Sequence, residues 1–166
     1  MVPQEVIGAE TFETLVNQQG ERLIKSLSAI FLDRELAADA AQEAFVQLYL
    51  HWDKVIRKGQ PEPWLYKVAI NRGKDYRRGL ARTARLFQRL VDASGNEASS
   101  EDCDPRAEFM SVLSGLPTRQ RAAAALYYSA DLSVAEISAV MGISEGSVSS
   151  HLHRARAALK QILESE

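Results

Sequence analysis

The sequence is poor in the residues on which most enzymes and cross-linked proteins depend. Its 166 residues include one cysteine, Cys103, and three histidines, so no internal disulfide and no cysteine metal framework can form. His151 and His153 are two residues apart, and on a helix that spacing directs them away from a shared metal ion. Cys103 lies in an acidic segment, which disfavours the thiolate that a nucleophile needs. We therefore predict no enzyme activity, no metal site and no cofactor.

Long apolar runs and phosphate-binding glycine loops are also missing. No apolar stretch approaches the roughly 20 residues that span a bilayer, and the N-terminus lacks a basic stretch followed by an apolar one. Gly142 and Gly146 fit a turn and a helix cap rather than a phosphate loop. Hydrophobic content of 46% and charged content of 25% are typical of a soluble globular protein. We expect a cytoplasmic protein with no membrane insertion of its own.

The net charge of −2 conceals a strong segregation of charge along the chain. Residues 1–56 carry a balance of −5, residues 57–91 a balance of +8, and residues 92–108 again −5. Such asymmetry predicts one surface that meets a polyanion and other surfaces that meet different partners.

Apolar side chains recur at helical spacing almost throughout, which indicates an all-α fold of two small helical domains. Residues 1–91 predict three helices, with a possible break at Gly20 and a loop from Asp53 to Pro63, so that the third helix begins near Trp64. Residues 92–105 have the small, polar composition of a flexible acidic linker. Residues 106–166 predict a second domain, with helices over 106–114 and 118–128 ahead of a helix-turn-helix.

The helix-turn-helix is predicted over residues 133–159. Ser133 and Glu136 form a capping box, Gly142 supplies the positive φ of the turn, and Ser144 caps the following helix. In such a motif the second helix enters the major groove of DNA. An ordinary antiparallel helix pair would use the same caps and apolar stripes, so the motif alone leaves that alternative open.

Cations cluster in the Asp53–Pro63 loop and in the helix that follows it, where they can neutralise phosphates. The aromatic side chains of Trp64, Tyr66 and Tyr76 lie among them and offer stacking surfaces for unpaired bases. Burial in the core is the alternative for each ring taken alone. The preceding helix, residues 34–52, exposes acids and amides, a pattern that by itself indicates only a solvated face.

The strings that carry these features resemble the sigma-70 family of RNA polymerase sigma factors. The string GLPTRQRAAAALYYSADLSVAEISAVMGISEGSVSSHLHRAR resembles the domain that reads the −35 promoter element. The strings AADAAQEAFVQLYLHWDKV and PWLYKVAINRGKDYRR resemble the domain that binds core polymerase and reads the −10 element. With these two domains and a short linker, the chain is similar to the extracytoplasmic function (ECF) subgroup.

The resemblance implies a transcription initiation factor whose partners are core RNA polymerase, promoter DNA and an anti-sigma factor. It places residues 1–91 in the region 2 domain and residues 106–166 in the region 4 domain. The surface implied for the polymerase clamp consists of Asp39, Gln42, Glu43 and Phe45. The residues implied for −10 recognition and melting are Lys54, Arg57, Lys58, Trp64, Lys67, Asn71, Arg72, Lys74, Arg77 and Arg78.

The residues implied for −35 recognition lie mainly on the second helix of the motif. They are Arg119, Ser144, Glu145, Ser147, Ser149, Ser150, His151 and Arg154. The family often has lysine or arginine where this chain has Ser149 and His151. We therefore expect either weaker anchoring of phosphates or a different −35 sequence preference. The cations that remain to anchor phosphates are Arg119, Arg121, Arg154 and Arg156. Ser138 replaces an alanine that the family favours, and we expect its hydroxyl to bond to its own helix.

Two other functions are compatible with parts of this pattern. A plain DNA-binding regulator, with a ligand-sensing or dimerising N-terminal domain, would bind duplex promoter DNA without polymerase. If the N-terminal helices were only a protein-interaction module, the cations from Arg57 to Arg78 would be dispensable. A sigma factor is expected to bind core polymerase first and DNA afterwards.

Overall fold

The prediction of an all-helical fold is confirmed in a computed structural model of the chain. The structure describes residues 4–90 and 105–165, and it describes side-chain burial for residues 12–90 and 110–165. The linker predicted over 92–105, with Cys103, lies outside the described residues apart from Pro105. Within those ranges every regular element is an α-helix: α1 Gln4–Phe31, α2 Arg34–Leu50, α3 Trp52–Arg57, α4 Pro61–Leu90, α5 Pro105–Ser114, α6 Thr118–Tyr128, α7 Val134–Met141 and α8 Glu145–Glu164.

Helices α1, α2 and α4 pack around an apolar core. Leu23, Leu27, Leu48 and Leu65 are completely buried in it, as their helical spacing requires. Helix α1 passes through Gly20 without the break that the sequence suggested, because residues on both sides of Gly20 are anchored. The buried Gln19 accepts a hydrogen bond from Tyr66 Oη at 3.1 Å, and Leu23 lies in the core.

The segment from Asp53 to Pro63 is not the loop that the sequence predicted. Residues Trp52–Arg57 form α3, and Gly59, with φ of 75°, lets the chain leave it. Helix α4 begins at Pro61 rather than near Trp64. Pro61 and Pro63 fit there because the first helical turn uses no intrahelical N–H donors, so proline costs it no hydrogen bond. Only residues 58–60 remain between the two helices.

Helix α6 joins the two halves of the molecule. Ala122, Ala123, Ala124 and Ala125 are all buried, since α6 is covered by α1, α7 and α8 on different sides. Helix α7 in turn packs against α4. Buried residues of α6, α7 and α8 therefore belong to the same apolar core as those of α1, α2 and α4.

Arg121 of α6 makes the polar link across this contact. Its side chain is only 6% exposed, its Nε donates to the Ile30 carbonyl at 3.0 Å, and its Nη1 donates to the Leu116 carbonyl at 3.0 Å. Burial, with Arg77 nearby, lowers the pKa of Arg121. The expectation that Arg121 anchors phosphates is thus wrong for this arrangement of the helices. Ser26 Oγ adds a second link by donating to Ser129 Oγ at 3.1 Å.

Helix α4 approaches α1 closely at Gly73, which is buried against the ring of Phe31. A Cβ atom at this position would overlap that ring. One turn further along α4, Arg77 lies over the same ring, 5.0 Å from its centroid, and donates to the Phe31 carbonyl. The end of α1 is thereby held by α4 as well as by α6.

Replacing Arg121 by methionine removes both donors while keeping an unbranched apolar stem. The Ile30 and Leu116 carbonyls would then be buried without this partner, so we expect the free energy of unfolding to fall by about 1–3 kcal/mol. The matched control is Arg119→Met, an exposed position on the same helix, which should change it by less than about 0.5 kcal/mol. Urea denaturation of both variants measures the difference, and equal losses would contradict the assigned role of Arg121.

Glycine-to-alanine exchanges at two positions of α4 test the close approach to Phe31. Gly73→Ala should lower the free energy of unfolding by about 1–3 kcal/mol, because the added methyl group overpacks the contact. Gly79→Ala has open space around it and should raise stability by up to about 1 kcal/mol, since alanine favours a helix. Thermal denaturation compares the two, and a stabilised Gly73→Ala protein would refute the contact.

Candidate polymerase and nucleic-acid interfaces

The predicted helix-turn-helix consists of α7, a turn and α8. Ser133 Oγ accepts from the Glu136 amide at 3.1 Å, and the Ser133 amide donates to Glu136 Oε2 at 2.7 Å, so both halves of the capping box are present. Gly142 ends α7 with φ of 66°, and Ser144 Oγ accepts from the Ser147 amide at 3.1 Å to start α8. Local capping chemistry therefore fixes the relation between the two helices.

Ser138 fastens the turn from within α7. Its hydroxyl donates to the carbonyl of Ile143 at 2.5 Å, across the turn. Our expectation that this hydroxyl would bond to its own helix is wrong. The backbone amides of Gly142 and Ile143 also donate to the Ser138 carbonyl, so this one residue both accepts from and donates to the turn.

Helix α8 divides into a buried face and an exposed face. Val148, Leu152 and Ala155 are buried against α6 and α7. Arg119 and Ser144, which precede α8, are exposed. Of the side chains on α8 predicted to read the −35 element, four are exposed and two are half-buried. The exposed ones are Glu145, Ser149, Ser150 and Arg154, and the half-buried ones are Ser147 and His151. Ser147 is also engaged within the cap, since its hydroxyl lies 2.9 Å from Ser144 Oγ.

Arg156, which we expected to anchor phosphates, has aromatic partners on α6. Its Nε donates to the Tyr128 hydroxyl at 2.5 Å, and its guanidinium lies 5.6 Å and 5.7 Å from the ring centroids of Tyr127 and Tyr128. The hydrogen bond to Tyr128 raises the pKa of Arg156. Its side chain is thus oriented beside α6 while remaining exposed, as Arg119 and Arg154 are.

Two of the cations of α4 have partners on other helices, although Arg77 is itself exposed. Arg72 Nε lies 3.7 Å from Glu43 Oε1 of α2, and Arg77 is bound to Phe31 as described. Both therefore have protein partners that tie α4 to its neighbours. The remaining predicted members on this helix, Lys67, Asn71, Lys74 and Arg78, are exposed.

The aromatic side chains of this region do not all remain accessible. Tyr66 is completely buried, and burial raises its pKa to about 12, so the interpretation of Tyr66 as a stacking surface for bases is wrong. Tyr76 is half-buried and donates to Glu43 Oε2 at 3.2 Å. Desolvation, followed by the Glu43 carboxylate, raises the pKa of Tyr76. Trp64 is half-buried and is the ring best placed to meet a base.

Trp64 lies in a cleft between the two halves of the molecule. The cleft has a volume of about 180 Å³ and is lined on one side by Lys58, Trp64 and Lys67, and on the other by Ala139 and Val140 of α7. Lys54, Arg57 and Lys58 are exposed on and after α3. The first helix of the helix-turn-helix therefore covers part of the surface predicted to capture −10 bases.

The predicted polymerase surface lies on α2. Asp39 and Gln42 are exposed, while Glu43 and Phe45 are half-buried. Next to them the structure adds three exposed apolar side chains, Val46, Tyr49 and Leu50, at 52%, 68% and 65% exposure. Sequence reasoning missed these three, although they follow Asp39 and Gln42 at intervals of three and four residues and so share the face opposite the buried alanines.

Neither a metal site nor a membrane span emerges from the described part of the chain. No group of three histidine, cysteine, aspartate or glutamate side chains among those residues could hold a metal ion. None of the helices α1 to α8 is long and apolar enough to cross a bilayer.

Most of the described chain lies in two segments that match one family of known proteins. The family description "Sigma-70 region 2" matches residues 15–83, and "Sigma-70, region 4" matches residues 106–159. An RNA polymerase sigma-E factor of Streptomyces avermitilis is 32% identical over 154 residues, covering 93% of this chain and 86% of that protein. The ECF RNA polymerase sigma factor SigM of Bacillus subtilis is 30% identical over 156 residues, covering 92% and 94%.

Two solved structures are similar over nearly the whole chain. CnrH in complex with the cytosolic domain of CnrY is 26% identical with a TM-score of 0.65, covering 93% of this chain and 88% of that one. The sigma factor RpoE of Bartonella quintana, in complex with the anti-sigma factor NepR, is 18% identical with a TM-score of 0.73, covering 94% and 98%; this second likeness shows the fold alone. The chain belongs to the sigma-70 family of RNA polymerase sigma factors, in its ECF subgroup.

Removing the Ser138 hydroxyl tests how the turn is fastened. Ser138→Ala should lower the free energy of unfolding by about 1 kcal/mol, because the bond to the Ile143 carbonyl is lost at a partly buried site. Ser150→Ala on the exposed face of α8 is the matched control, since it gives the effect of the same exchange on helix propensity alone. Chemical denaturation compares them, and a Ser138→Ala protein as stable as the control would show that the bond contributes nothing.

Proposed function

We propose that this sigma factor binds core RNA polymerase and directs it to promoters that have both a −10 and a −35 element. The observation that carries the proposal is that one chain has two separate exposed faces suited to nucleic acid. One is the exposed basic face of α4 with Trp64 at its N-terminal end, and the other is the exposed face of α8. They lie in the two segments that match sigma-70 regions 2 and 4.

The −10 surface would work by binding energy rather than by bond chemistry. Trp64 and the cations Lys54, Arg57 and Lys58 lie where an unpaired base could enter, and Lys67, Asn71, Lys74 and Arg78 continue the surface along α4. Trapping a base outside the duplex must offset a few kcal/mol of lost stacking and pairing. Arg72 and Arg77 would support this surface indirectly, since their partners are Glu43 and Phe31.

The −35 surface would be weakly charged. Glu145, Ser149, Ser150, His151 and Arg154 would face base edges in the major groove, where hydroxyl and carboxylate groups can bond to bases. Arg119 and the capped start of α8 at Ser144 and Ser147 would meet phosphates, because amides at a helix N-terminus attract anions. With few fixed cations, this domain would contribute more to specificity than to affinity.

The polymerase surface would be the exposed face of α2. Asp39, Gln42, Glu43 and Phe45 would form it together with the exposed apolar side chains Val46, Tyr49 and Leu50. Apolar side chains rimmed by acids and amides are typical of a protein-binding surface. Because Glu43 already binds Arg72 and Tyr76, it would also position α2 against the DNA-binding helix α4.

The contact of α7 with the Trp64 cleft suggests an order of binding. While Ala139 and Val140 close one side of this cleft, a flipped base has restricted access to Trp64. Core polymerase would therefore bind first and separate the two halves, and DNA would follow. The complex of CnrH with the cytosolic domain of CnrY supports an anti-sigma partner for this protein too. Core polymerase as a partner would place the protein in the cytoplasm.

Reconstitution tests the function directly. The purified chain, added to sigma-free core polymerase and fragmented genomic DNA, should give discrete new transcript starts that share paired upstream elements. Lys74→Gln should weaken promoter binding by the reconstituted holoenzyme and reduce the slope of log affinity against log salt by about one unit, because one phosphate contact is lost. Lys25→Gln, at an exposed position of α1, is the matched control and should leave the slope of log affinity against log salt unchanged.

Two results would contradict this proposal. If the chain binds no core polymerase and produces no new starts, but binds duplex DNA alone, it is a plain DNA-binding regulator. If new starts appear but Lys74→Gln equals wild type, the exposed face of α4 is not the −10 surface.

A further inference from the structure

Helix α4 continues well beyond the residues assigned to the −10 element. Its last twelve residues, 79–90, are all exposed, and they extend the helix to Leu90. Residues 79–83 are the last of this helix to fall within the region 2 match, which ends at residue 83. We call residues 79–90 the α4 tail.

The α4 tail keeps the basic face of the helix in register. Along α4 the exposed polar positions succeed one another at intervals of four, three, four, four, three and four residues, which places them on one side of a helix. They are Lys67, Asn71, Lys74, Arg78, Arg82, Arg85 and Arg89. Arg82, Arg85 and Arg89 therefore continue the same line as the four residues proposed to hold −10 DNA.

Nothing in the α4 tail balances these three charges. The last carboxylate of the helix is Asp75, whose Oδ1 lies 3.7 Å from Arg78, and residues 79–90 include no acid. Arginines three and four residues apart on a helix repel one another. A helical segment of twelve residues without tertiary packing is also only marginally stable. A polyanion lying along the line of arginines would reduce the repulsion between them and would stabilise the helical segment.

We propose that Arg82, Arg85 and Arg89 bind the phosphate backbone of the duplex between the −10 and −35 elements. From Arg82 to Arg89 the helix rises by roughly 10 Å at about 1.5 Å per residue. Successive phosphates of one strand are ~3.4 Å apart along the axis of B-DNA, so the three arginines span about three of them. This inference rests on the proposed function, because it takes the −10 surface as its starting point.

The direction follows from the position of Trp64. This ring lies at the N-terminal end of α4, where unpaired bases would be captured, so the opposite end of the basic face lies over DNA that is still paired. The contacts go to phosphates and not to base edges, and they add affinity for every promoter without changing which sequences are preferred.

The salt dependence of promoter binding by the reconstituted holoenzyme tests the inference. The triple variant Arg82→Gln, Arg85→Gln, Arg89→Gln should reduce the slope of log affinity against log salt by about two to three units, since each phosphate contact contributes about 0.9. Affinity should fall similarly for strong and weak promoters. The arginine-to-lysine triple at the same positions keeps the charge and should retain most of the slope.

A charge-matched control separates local contacts from net charge. Arg22→Gln, Lys25→Gln and Arg34→Gln also remove three exposed cations, but on α1 and α2, and this triple should leave the slope within about half a unit of wild type. On a DNA template that ends at the upstream edge of the −10 element, wild type and the Arg82, Arg85, Arg89 glutamine triple should have equal slopes. Circular dichroism checks that both triples remain helical.

Three outcomes would decide against the α4 tail as a DNA site. A glutamine triple with the wild-type slope overturns it while leaving the proposed function intact. A glutamine triple that binds core polymerase more weakly, with an unchanged slope for DNA, assigns the tail to the polymerase instead. An equal drop in slope for the charge-matched control would show only a net-charge effect. Failure of the wild-type holoenzyme to bind any promoter would count against the proposed function itself.

Discussion

The C-terminal end of α1 is the point on which the rest of the molecule depends. A helix leaves its last carbonyls without intrahelical partners and has a partial negative charge at that end. Here two arginines supply the donors: Arg121 of α6 bonds to the Ile30 carbonyl, and Arg77 of α4 bonds to the Phe31 carbonyl. Leu32, with φ of 57°, then turns the chain into α2. Three helices that are distant in sequence are fixed at one place.

The position of both candidate DNA surfaces follows from this junction. Helix α4 bears most of the residues proposed to bind −10 DNA and the tail arginines, and α6 leads directly into the helix-turn-helix. Because Gly73 brings α4 against Phe31 while Arg121 brings α6 against Ile30, α7 comes to lie beside Trp64. The geometry that stabilises the free chain thus also restricts access to its own −10 surface.

Local chemistry made most of the fold predictable from the sequence. The capping box at Ser133, the left-handed turn at Gly142 and the cap at Ser144 are all formed as expected, because each depends on neighbouring residues. Helix α6 begins at Thr118 and ends at Tyr128, as predicted. The prediction of a loop at Pro61 and Pro63 is wrong, since both prolines lie in the first turn of α4.

Features that depend on distant residues could not be predicted in the same way. Nothing near Tyr66 in the sequence shows that its ring is enclosed and bonded to Gln19. Arg72, Arg77 and Arg121 look like phosphate ligands in a basic segment or next to a DNA-binding motif, yet each has a protein partner from another helix. The spacing of the polar residues from Lys67 to Arg89, in contrast, can be read from the sequence. The observed length of α4 shows that they lie on one side of a single helix.

The four buried alanines of α6 have an energetic consequence. Alanine offers little apolar area beyond its Cβ atom, so a contact made through Ala122 to Ala125 buries far less side-chain surface than one made through leucines would. For α6 to withdraw from α1, the bond of Arg121 to the Ile30 carbonyl and the bond of Ser26 to Ser129 must break. The small size of these residues thus limits the apolar area that would be exposed if α6 separated from its neighbours.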